Sequence, residues 1–231
     1  MFPTGVRRMS STELREPVIA LFSGSARKDS FNTKLAESAA QLLASSKYGA
    51  ATKLLDLSSY ELPLYDQDLE ADGMPSGVMA LKEDLSSADG WVYCSPEYNG
   101  SMTPLFVNAM TWASRGDPDG KMYATFQDKF AIVLSASPGA MGGMRSINPN
   151  RQLLMNLGVN VLPQSVAIGG AFKAFDESGN LKDNKHVSML DKACGDLFFL
   201  TRNEANNSAA CKIIETHLAT VGAYGAVDVA E

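Results

Sequence analysis

Three short polar stretches carry the residues of this chain that could bind a ligand. They are GSARKDSFN (residues 24–32), SPEYNGS (95–101) and SASPGAMGG (135–143). Each follows an apolar run typical of a buried strand. Their hydroxyls and amides can form hydrogen bonds, and their glycines let backbone approach a ligand closely. Because open α/β sheets bind ligands outside the carboxyl ends of their strands, the three stretches predict one shared site.

The first stretch has the composition of an anion site. Ser25, Ser30 and Asn32 offer side-chain donors, and Arg27 offers a charge-assisted bond. Free N–H groups at the start of a helix also attract an anion. The same residues suit an ordinary helix start capped by Ser30, so on this stretch alone the two interpretations are equal. The stretch matches neither the GxxxxGK[ST] nor the GxGxxG nucleotide motif.

The second and third stretches favour a planar ligand. Pro96 fixes one backbone angle, and Asn99 and Gly100 tolerate positive φ, so this turn can direct peptide groups at the edge of a ring. Tyr98 can flank such a ring. Alone, the turn predicts only a surface connection. The three glycines and two serines of the third stretch are alone no more than a flexible connection, but three stretches at one sheet edge favour a site.

The elements that must position these stretches alternate along the chain. Strands are predicted at residues 18–22, 52–57, 90–94, 130–135 and 159–168, and helices at about 30–47, 76–86, 103–114, up to 157–158, and 184–218. This alternation predicts a parallel sheet with right-handed crossovers. Pro163 is typical of an edge strand. The prediction is an α/β, flavodoxin-like, doubly wound five-stranded parallel sheet with strand order 2-1-3-4-5.

The chain of 231 residues suits one domain. We predict a flexible N-terminal leader (1–16), the flavodoxin-like sheet domain (17–220) and a C-terminal tail (221–231). Residues 115–128 form the one long connection, which is expected to cover the site or meet a partner. The acidic stretch 66–73 is interpreted as a solvated loop, since Met79 stands where a calcium-binding EF-hand counted from Asp68 needs a glutamate.

Composition excludes several classes of function. A net charge of −6 argues against a nucleic-acid partner, and no apolar run approaches the roughly 20 residues that span a membrane. The leader lacks the apolar stretch of a secretory signal, although a transit function stays open. Cys94, Cys194 and Cys211 suggest neither a disulfide framework nor a metal site, so a reducing, cytoplasmic setting is expected. Cys94 is interpreted as a buried packing residue.

The chain resembles the NAD(P)H-dependent FMN reductase family of the flavodoxin-like superfamily, which includes flavin, quinone, azo-dye and chromate reductases. The matching phrases span residues 18–172: GSARKDSFNTKLAESA, LPLYDQDLE, SPEYNGSMTPLFVNAMTWASR, SPGAMGGMR and LPQSVAIGGAF. The pairing of the first with PEYNGS is specific. The resemblance implies FMN as cofactor, NADPH or NADH as co-substrate, and a flavin, quinone, azo compound or metal oxyanion as acceptor. It also implies a homodimer or homotetramer.

The resemblance also implies roles for individual residues. Those expected to hold the FMN phosphate are Ser25, Arg27, Ser30, Phe31 and Asn32; those along the ring and ribityl chain are Pro96, Glu97, Tyr98 and Asn99; those closing the other side are Ser135, Ser137, Gly139 and Gly142. Arg145 is expected on the nicotinamide or acceptor side, or against a neighbouring subunit. No side chain is expected to be catalytic, because the flavin carries the hydride.

Some features depart from the family or stay open. Pro149 interrupts a segment that is usually a continuous helix, which predicts a kink or a restart capped by Asn148. Met110 and Trp112 are expected at a subunit contact, as is the patch 197–200, for which a core role is at least equally expected. A flavodoxin-type electron carrier and a flavin-binding regulatory protein are the alternatives to an enzyme.

Overall fold

The structure, a computed structural model, describes residues 15–116 and 121–225, the last helix beyond residue 207 by its backbone only. Its five strands are β1 (Val18–Ser23), β2 (Ala51–Leu55), β3 (Gly90–Cys94), β4 (Phe130–Ala136) and β5 (Asn160–Ile168). All are parallel, in the order β2-β1-β3-β4-β5. The predicted sheet and its strand order are therefore confirmed.

Helices connect the strands and cover both faces of the sheet. They are α1 (Phe31–Ala44), α2 (Gln67–Asp72), α3 (Ser76–Ser86), α4 (Pro104–Ala113), α5 (Met144–Asn156), α6 (Ala171–Ala174) and α7 (Asn184–Gly225). A 3₁₀ turn, Ala124–Phe126, lies in the long connection before β4. Residues 117–120 of that connection lie outside the described residues.

Each strand supplies alternate residues to two separate cores, because successive side chains of a strand point to opposite faces. Ile19 and Leu21 pack with α1 and α7. Ala20 and Phe22 pack with α3, α4 and α5. Both faces are thus buried, which explains why the central strands read as nearly continuous apolar runs. Cys94 belongs to the first core, where burial raises the pKa of its thiol, in agreement with the predicted packing role.

Pro163 lies on β5, at the edge of the sheet, as predicted. Residue 131 of β4 pairs with residue 161, whereas residue 133 pairs with residue 165. The edge strand therefore advances four residues while β4 advances two, and Pro163 lies within the bulge. A proline has no N–H to donate to a ladder, so an irregular edge accommodates it without loss of a regular bond.

Two interpretations of local structure were wrong. The acidic stretch expected to be a loop contains α2, because the Asp66 carboxylate accepts bonds from the N–H groups of Asp68 and Leu69 and so starts a helix. A restart capped by Asn148 was one of the two alternatives considered at Pro149, the other being a kink, and it does not occur, since α5 is a single helix that includes Pro149. Helix α7 also continues to Gly225, beyond the predicted end at residue 218.

The ends of the chain and the residues expected at a subunit contact are placed as follows. The predicted leader lies outside the described residues except for Arg15 and Glu16, which form ion pairs with Asp89 and Arg202. Residues 226–231 of the predicted tail also lie outside them. Trp112 is buried within the protomer, as is Met110, so neither is exposed for a subunit contact. Within the described ranges, no helix has the length and apolarity to cross a bilayer.

An acid-sensitive interaction joins β2 to α3, and its loss at low pH can be measured. Burial alone raises the pKa of Asp84, but bonds from Lys53 and Tyr60 outweigh it and lower that pKa below its ordinary 3.8. The stabilisation is therefore present above about pH 4 and disappears as the pH falls through the lowered value. We expect Asp84→Asn to cost about 1 kcal/mol or less at pH 7, since the ion pair is partly exposed.

Urea unfolding of the wild type and Asp84→Asn between pH 2 and pH 7 tests this expectation. The stability difference should shrink towards zero at the acid end. A difference that stays constant across the whole pH range would show that the carboxylate charge is not the cause.

Candidate functional site

The loops after β1, β3 and β4 meet around a pocket of about 240 Å³ at the carboxyl edge of the sheet. Most of the residues predicted to bind a ligand line it. They are Ser25, Arg27, Ser30, Phe31, Asn32, Pro96, Glu97, Tyr98 and Ser137, together with Ala136, Pro138 and Phe172. The three sequence stretches thus form one site, as their positions after parallel strands require.

The loop after β1 offers the positive end of the site. Ser30 is the N-cap of α1, and its Oγ accepts from the N–H groups of Asn32 and Thr33. The Arg27 guanidinium lies over the Phe31 ring, with its central carbon 5.3 Å from the ring centroid. The ordinary helix start considered for this stretch is confirmed by the Ser30 cap. The adjacent guanidinium is compatible with an anion site as well, and that site stays a prediction.

Asn32 connects this loop to β4. Its Nδ2 donates to the Ala136 carbonyl at 2.9 Å, and its Oδ1 accepts from the Ala136 N–H at 2.9 Å. The side chain is buried, so both polar atoms are used within the protein. Asn32 therefore has no free side-chain donor for a ligand. Its role is to hold the first loop in position against β4.

The second loop is a tight two-residue turn. Asn99 and Gly100 have φ of 54° and 75°, and Tyr98 and Ser101 exchange backbone hydrogen bonds of 3.3 and 3.0 Å. Positive φ at both central residues is the requirement of a type I′ turn, for which Asn-Gly is the preferred pair. The turn leaves the Tyr98 side chain 46% exposed beside the pocket. The Tyr98 ring therefore forms an aromatic wall of the pocket that is open to solvent.

The third loop approaches the end of β5 so closely that only glycine fits. A Cβ on Gly142 would lie 2.7 Å from the carbonyl carbon of Ile168, and Gly142 has φ of 62°. The Gly142 carbonyl accepts a bond of 2.7 Å from the buried Ser135 hydroxyl. Ser135 and Gly142 therefore hold the loop in place and, with Gly139 and Asn99, are not among the residues that line the pocket.

Glu97 connects the second and third loops. Its Oε1 accepts from the Nε and Nη2 atoms of Arg145 at 2.7 and 2.5 Å, and its Oε2 accepts from the Arg145 N–H at 3.1 Å. Helix α5 begins after Gly143 with no side-chain cap and no acidic residue in its first turn. Glu97 therefore supplies from another loop the negative charge that a helix N-terminus favours. Its side chain is 10% exposed, whereas that of Arg145 is 70% exposed.

Comparison with known proteins decides the family. The family model described as NADPH-dependent FMN reductase matches residues 17–173, well over half of the chain. The chain belongs to this family. An NAD(P)H-dependent FMN reductase of Pseudomonas aeruginosa is 37% identical over 74% of this chain and 87% of its own length. An NADPH:quinone oxidoreductase of Arabidopsis thaliana is 36% identical over 71% of this chain and 82% of its own length.

A solved structure agrees with the sequence comparisons. The NAD(P)H:(acceptor) oxidoreductase FerB of Paracoccus denitrificans, a flavoenzyme, superposes with a TM-score of 0.69 at 27% identity, covering 81% of this chain and 98% of that one. The predicted family, its oxidoreductase class and its FMN cofactor are confirmed. The assignment of individual residues to the flavin stays a prediction.

The pocket of this FMN reductase has the chemistry that FMN requires. A phosphate fits the Arg27 guanidinium and the Ser25 and Ser30 hydroxyls at the start of α1. A flat ring fits the opposite side, where Tyr98 and the backbone of the second loop form a wall. The pocket is thus polar and cationic at one side and partly aromatic at the other.

Two residues of this reductase, one lining the pocket and one supporting it, were not among the predicted site residues. Phe172, on α6, is 76% exposed, lines the pocket and meets the Phe31 ring edge-on at 5.2 Å. The sequence indicated it only as the last residue of LPQSVAIGGAF, one of the phrases that match the family. Asn150 lies beneath the second loop, where its Nδ2 donates to the Ser95 hydroxyl at 2.8 Å. Ser95 in turn donates to the Pro96 carbonyl at 2.9 Å, so α5 supports this loop from below.

Replacing Glu97 by glutamine tests whether its charge holds the two loops together. The amide keeps an acceptor oxygen but loses the ion pair and the favourable charge at α5. We expect Glu97→Gln to lower stability by about 1 kcal/mol and to weaken FMN binding, measured by urea unfolding and by quenching of flavin fluorescence. Glu177→Gln, the same charge change at an exposed residue outside the pocket, is the control. Equal effects of both variants would contradict this role.

Proposed function

We propose that this reductase transfers hydride from NADPH or NADH, by way of FMN held in the pocket described above, to small quinones. The observation that supports it best is the convergence of a cationic helix start and an exposed aromatic wall on one pocket. FMN, when bound, accepts and returns the hydride. The relatives named as quinone reductases favour a quinone over the azo compounds and metal oxyanions also considered.

The chain's own residues bind and orient the reactants. Arg27 and the serines of the first loop hold the phosphate. Glu97, through Arg145, fixes the second loop against the third, so that the ring rests on a rigid wall. Tyr98 and Phe172 are exposed on the open side of the pocket and provide aromatic surface against which a planar acceptor can stack. The transfer of hydride requires no acid or base side chain from the protein.

We also propose that the protein acts as a homodimer or homotetramer in the cytoplasm. Symmetric oligomers are the commonest state of soluble assemblies. Cys94 and Cys194 are free and buried, which suits a reducing compartment. Phe199 and Leu200 of α7 are exposed apolar residues and are candidates for the subunit contact that Met110 and Trp112 cannot make.

Anaerobic reduction tests the proposed activity. The purified protein should be yellow, should bleach within seconds of adding NADPH or NADH, and should regain colour when benzoquinone is added. Steady-state rates against both substrates should give the parallel lines of a ping-pong mechanism. Failure of both nucleotides to bleach the flavin would favour an electron carrier instead. Bleaching with very slow turnover for every acceptor, including flavins, azo dyes and chromate, would favour a regulatory flavoprotein.

A further inference from the structure

A second pocket lies beside the flavin pocket, on the β2 side of the first loop. It has a volume of about 400 Å³ and is bounded by α1 and the carboxyl ends of β1 and β2. Ser25 and Arg27 line both pockets, so the loop that carries them is the wall between the two. This volume lies within the range of about 300–1,000 Å³ typical of small-molecule sites.

A carboxylate stands at the end of β2, on the rim of this second pocket. Asp56 directly follows the strand, and its Oδ1 accepts from the N–H and Oγ of Ser58 at 2.9 and 2.6 Å. The turn therefore fixes one carboxylate oxygen, while no hydrogen bond within the described ranges uses Oδ2. This chain lacks the Gly-rich motif of dinucleotide-binding Rossmann folds, but in those folds an acidic residue accepts a hydrogen bond from the adenosine ribose. The free oxygen of Asp56 can accept a ribose hydroxyl in the same way.

The remaining walls supply the other contacts that a nucleotide needs. Lys28 lines the pocket from the first loop and offers a cation for phosphate, beside Arg27. Leu54 is 54% exposed and gives a flat apolar surface on the edge strand, against which a base can lie. Glu37 on α1 offers an acceptor for an exocyclic amine. Cations, carboxylates and an apolar floor together match a nucleotide better than a simple anion or an apolar ligand.

We propose that this pocket binds the adenosine and phosphate end of the nicotinamide nucleotide, while the nicotinamide reaches the flavin pocket. This inference rests on the proposed function and adds the place on the protein where the adenosine end of the nicotinamide nucleotide binds. Strand β1 lies between β2 and β3, and neighbouring strands are about 4.8 Å apart. The two pockets are therefore adjacent, and one extended dinucleotide can enter both by crossing the loop at Arg27.

Titration with ADP-ribose tests the proposal directly. This molecule carries the adenosine and both phosphates but no nicotinamide, so its binding does not require the flavin face. We expect saturable binding to the FMN-loaded wild type by isothermal titration calorimetry. Asp56→Asn and Lys28→Ala should each weaken it by about tenfold or more. Asp72→Asn, the same charge change at the exposed end of α2, should bind ADP-ribose as the wild type does.

Kinetics give a second readout. In Asp56→Asn the KM for NADH and NADPH should rise by a similar factor with kcat unchanged, because the reacting groups are elsewhere. Binding of ADP-ribose that is equal in Asp56→Asn, Asp72→Asn and the wild type would overturn the proposal. FMN titration of the same proteins distinguishes a failure of the second pocket from a failure of the proposed function. Normal FMN affinity with no ADP-ribose binding rejects only this pocket, whereas loss of FMN binding by the wild type rejects the proposed function.

Discussion

Gly142→Ala is expected to unfold at markedly lower denaturant concentration than the wild type and to lose most of its FMN affinity. Gly142 has φ of 62°, a conformation that costs an alanine about 1–2 kcal/mol. The added methyl would also lie 2.7 Å from the Ile168 carbonyl carbon and 2.8 Å from the Gly169 nitrogen. These are backbone atoms at the end of β5, which cannot rotate aside. The loop must therefore move, and the total cost should reach about 3 kcal/mol or more.

Gly49→Ala is the matched control for this prediction. Gly49 has φ of 72°, but a Cβ there would meet no heavy atom within 4 Å. It should show only the conformational cost, about 1–2 kcal/mol, with unchanged FMN affinity. Guanidinium unfolding midpoints and flavin fluorescence quenching measure the two effects. If both variants lost the same stability and bound FMN equally well, close packing of the third loop on β5 would not be what Gly142 provides.

The sheet was predictable because its signals are local and repeated. Strands buried on both faces, such as β3, read as continuous apolar runs whatever their neighbours are. Pro163 marked the edge strand because a proline lacks a ladder donor. Ser30 and Thr103 marked helix starts through side chains that act on the next turn, and both are N-caps in the structure.

The places where the structure differs from the sequence prediction have causes that leave little trace in the sequence. Helix α2 has no buried residue, so it lacks the apolar period from which helices are usually inferred, and only the Asp66 cap indicated it. Pro149 was expected to break or kink a helix. It lies in the second turn of α5, where it removes only the bond to the Arg145 carbonyl, and packing of Ile147 and Leu154 into the core holds the helix on both sides of it.

The site was predictable as a place but not as a set of contacts. Three strand ends locate the pocket, because parallel strands bring their carboxyl ends to one edge. Which side chain faces it depends on partners far away in the sequence. Asn32 is bound by Ala136, 104 residues later, and Glu97 by Arg145, 48 residues later. No local pattern distinguishes a donor that is free for a ligand from one already used to connect two loops.

Arg27→Ala is expected to weaken FMN binding by about 10- to 150-fold, the equivalent of losing a charged hydrogen bond worth about 1.5–3 kcal/mol. We expect this loss because Arg27 would bind the FMN phosphate and not the flavin ring. Arg27 lines the pocket where the first loop enters α1, and its guanidinium is held over Phe31 rather than paired with a carboxylate in any described ion pair. Riboflavin, which has the same ring but no phosphate, should therefore bind the variant and the wild type equally well.

Lys28→Ala provides the control for Arg27→Ala, because it removes a neighbouring cation that lines the second pocket and not the flavin pocket. It should leave FMN and riboflavin affinities close to those of the wild type. Fluorescence titrations of both flavins against the three proteins at low and high salt measure the effect, and the FMN difference should shrink with salt as a screened charge interaction does. If Arg27→Ala weakened riboflavin and FMN by the same factor, Arg27 would act by packing on Phe31 and the phosphate would have to be held by the helix start and its hydroxyls alone.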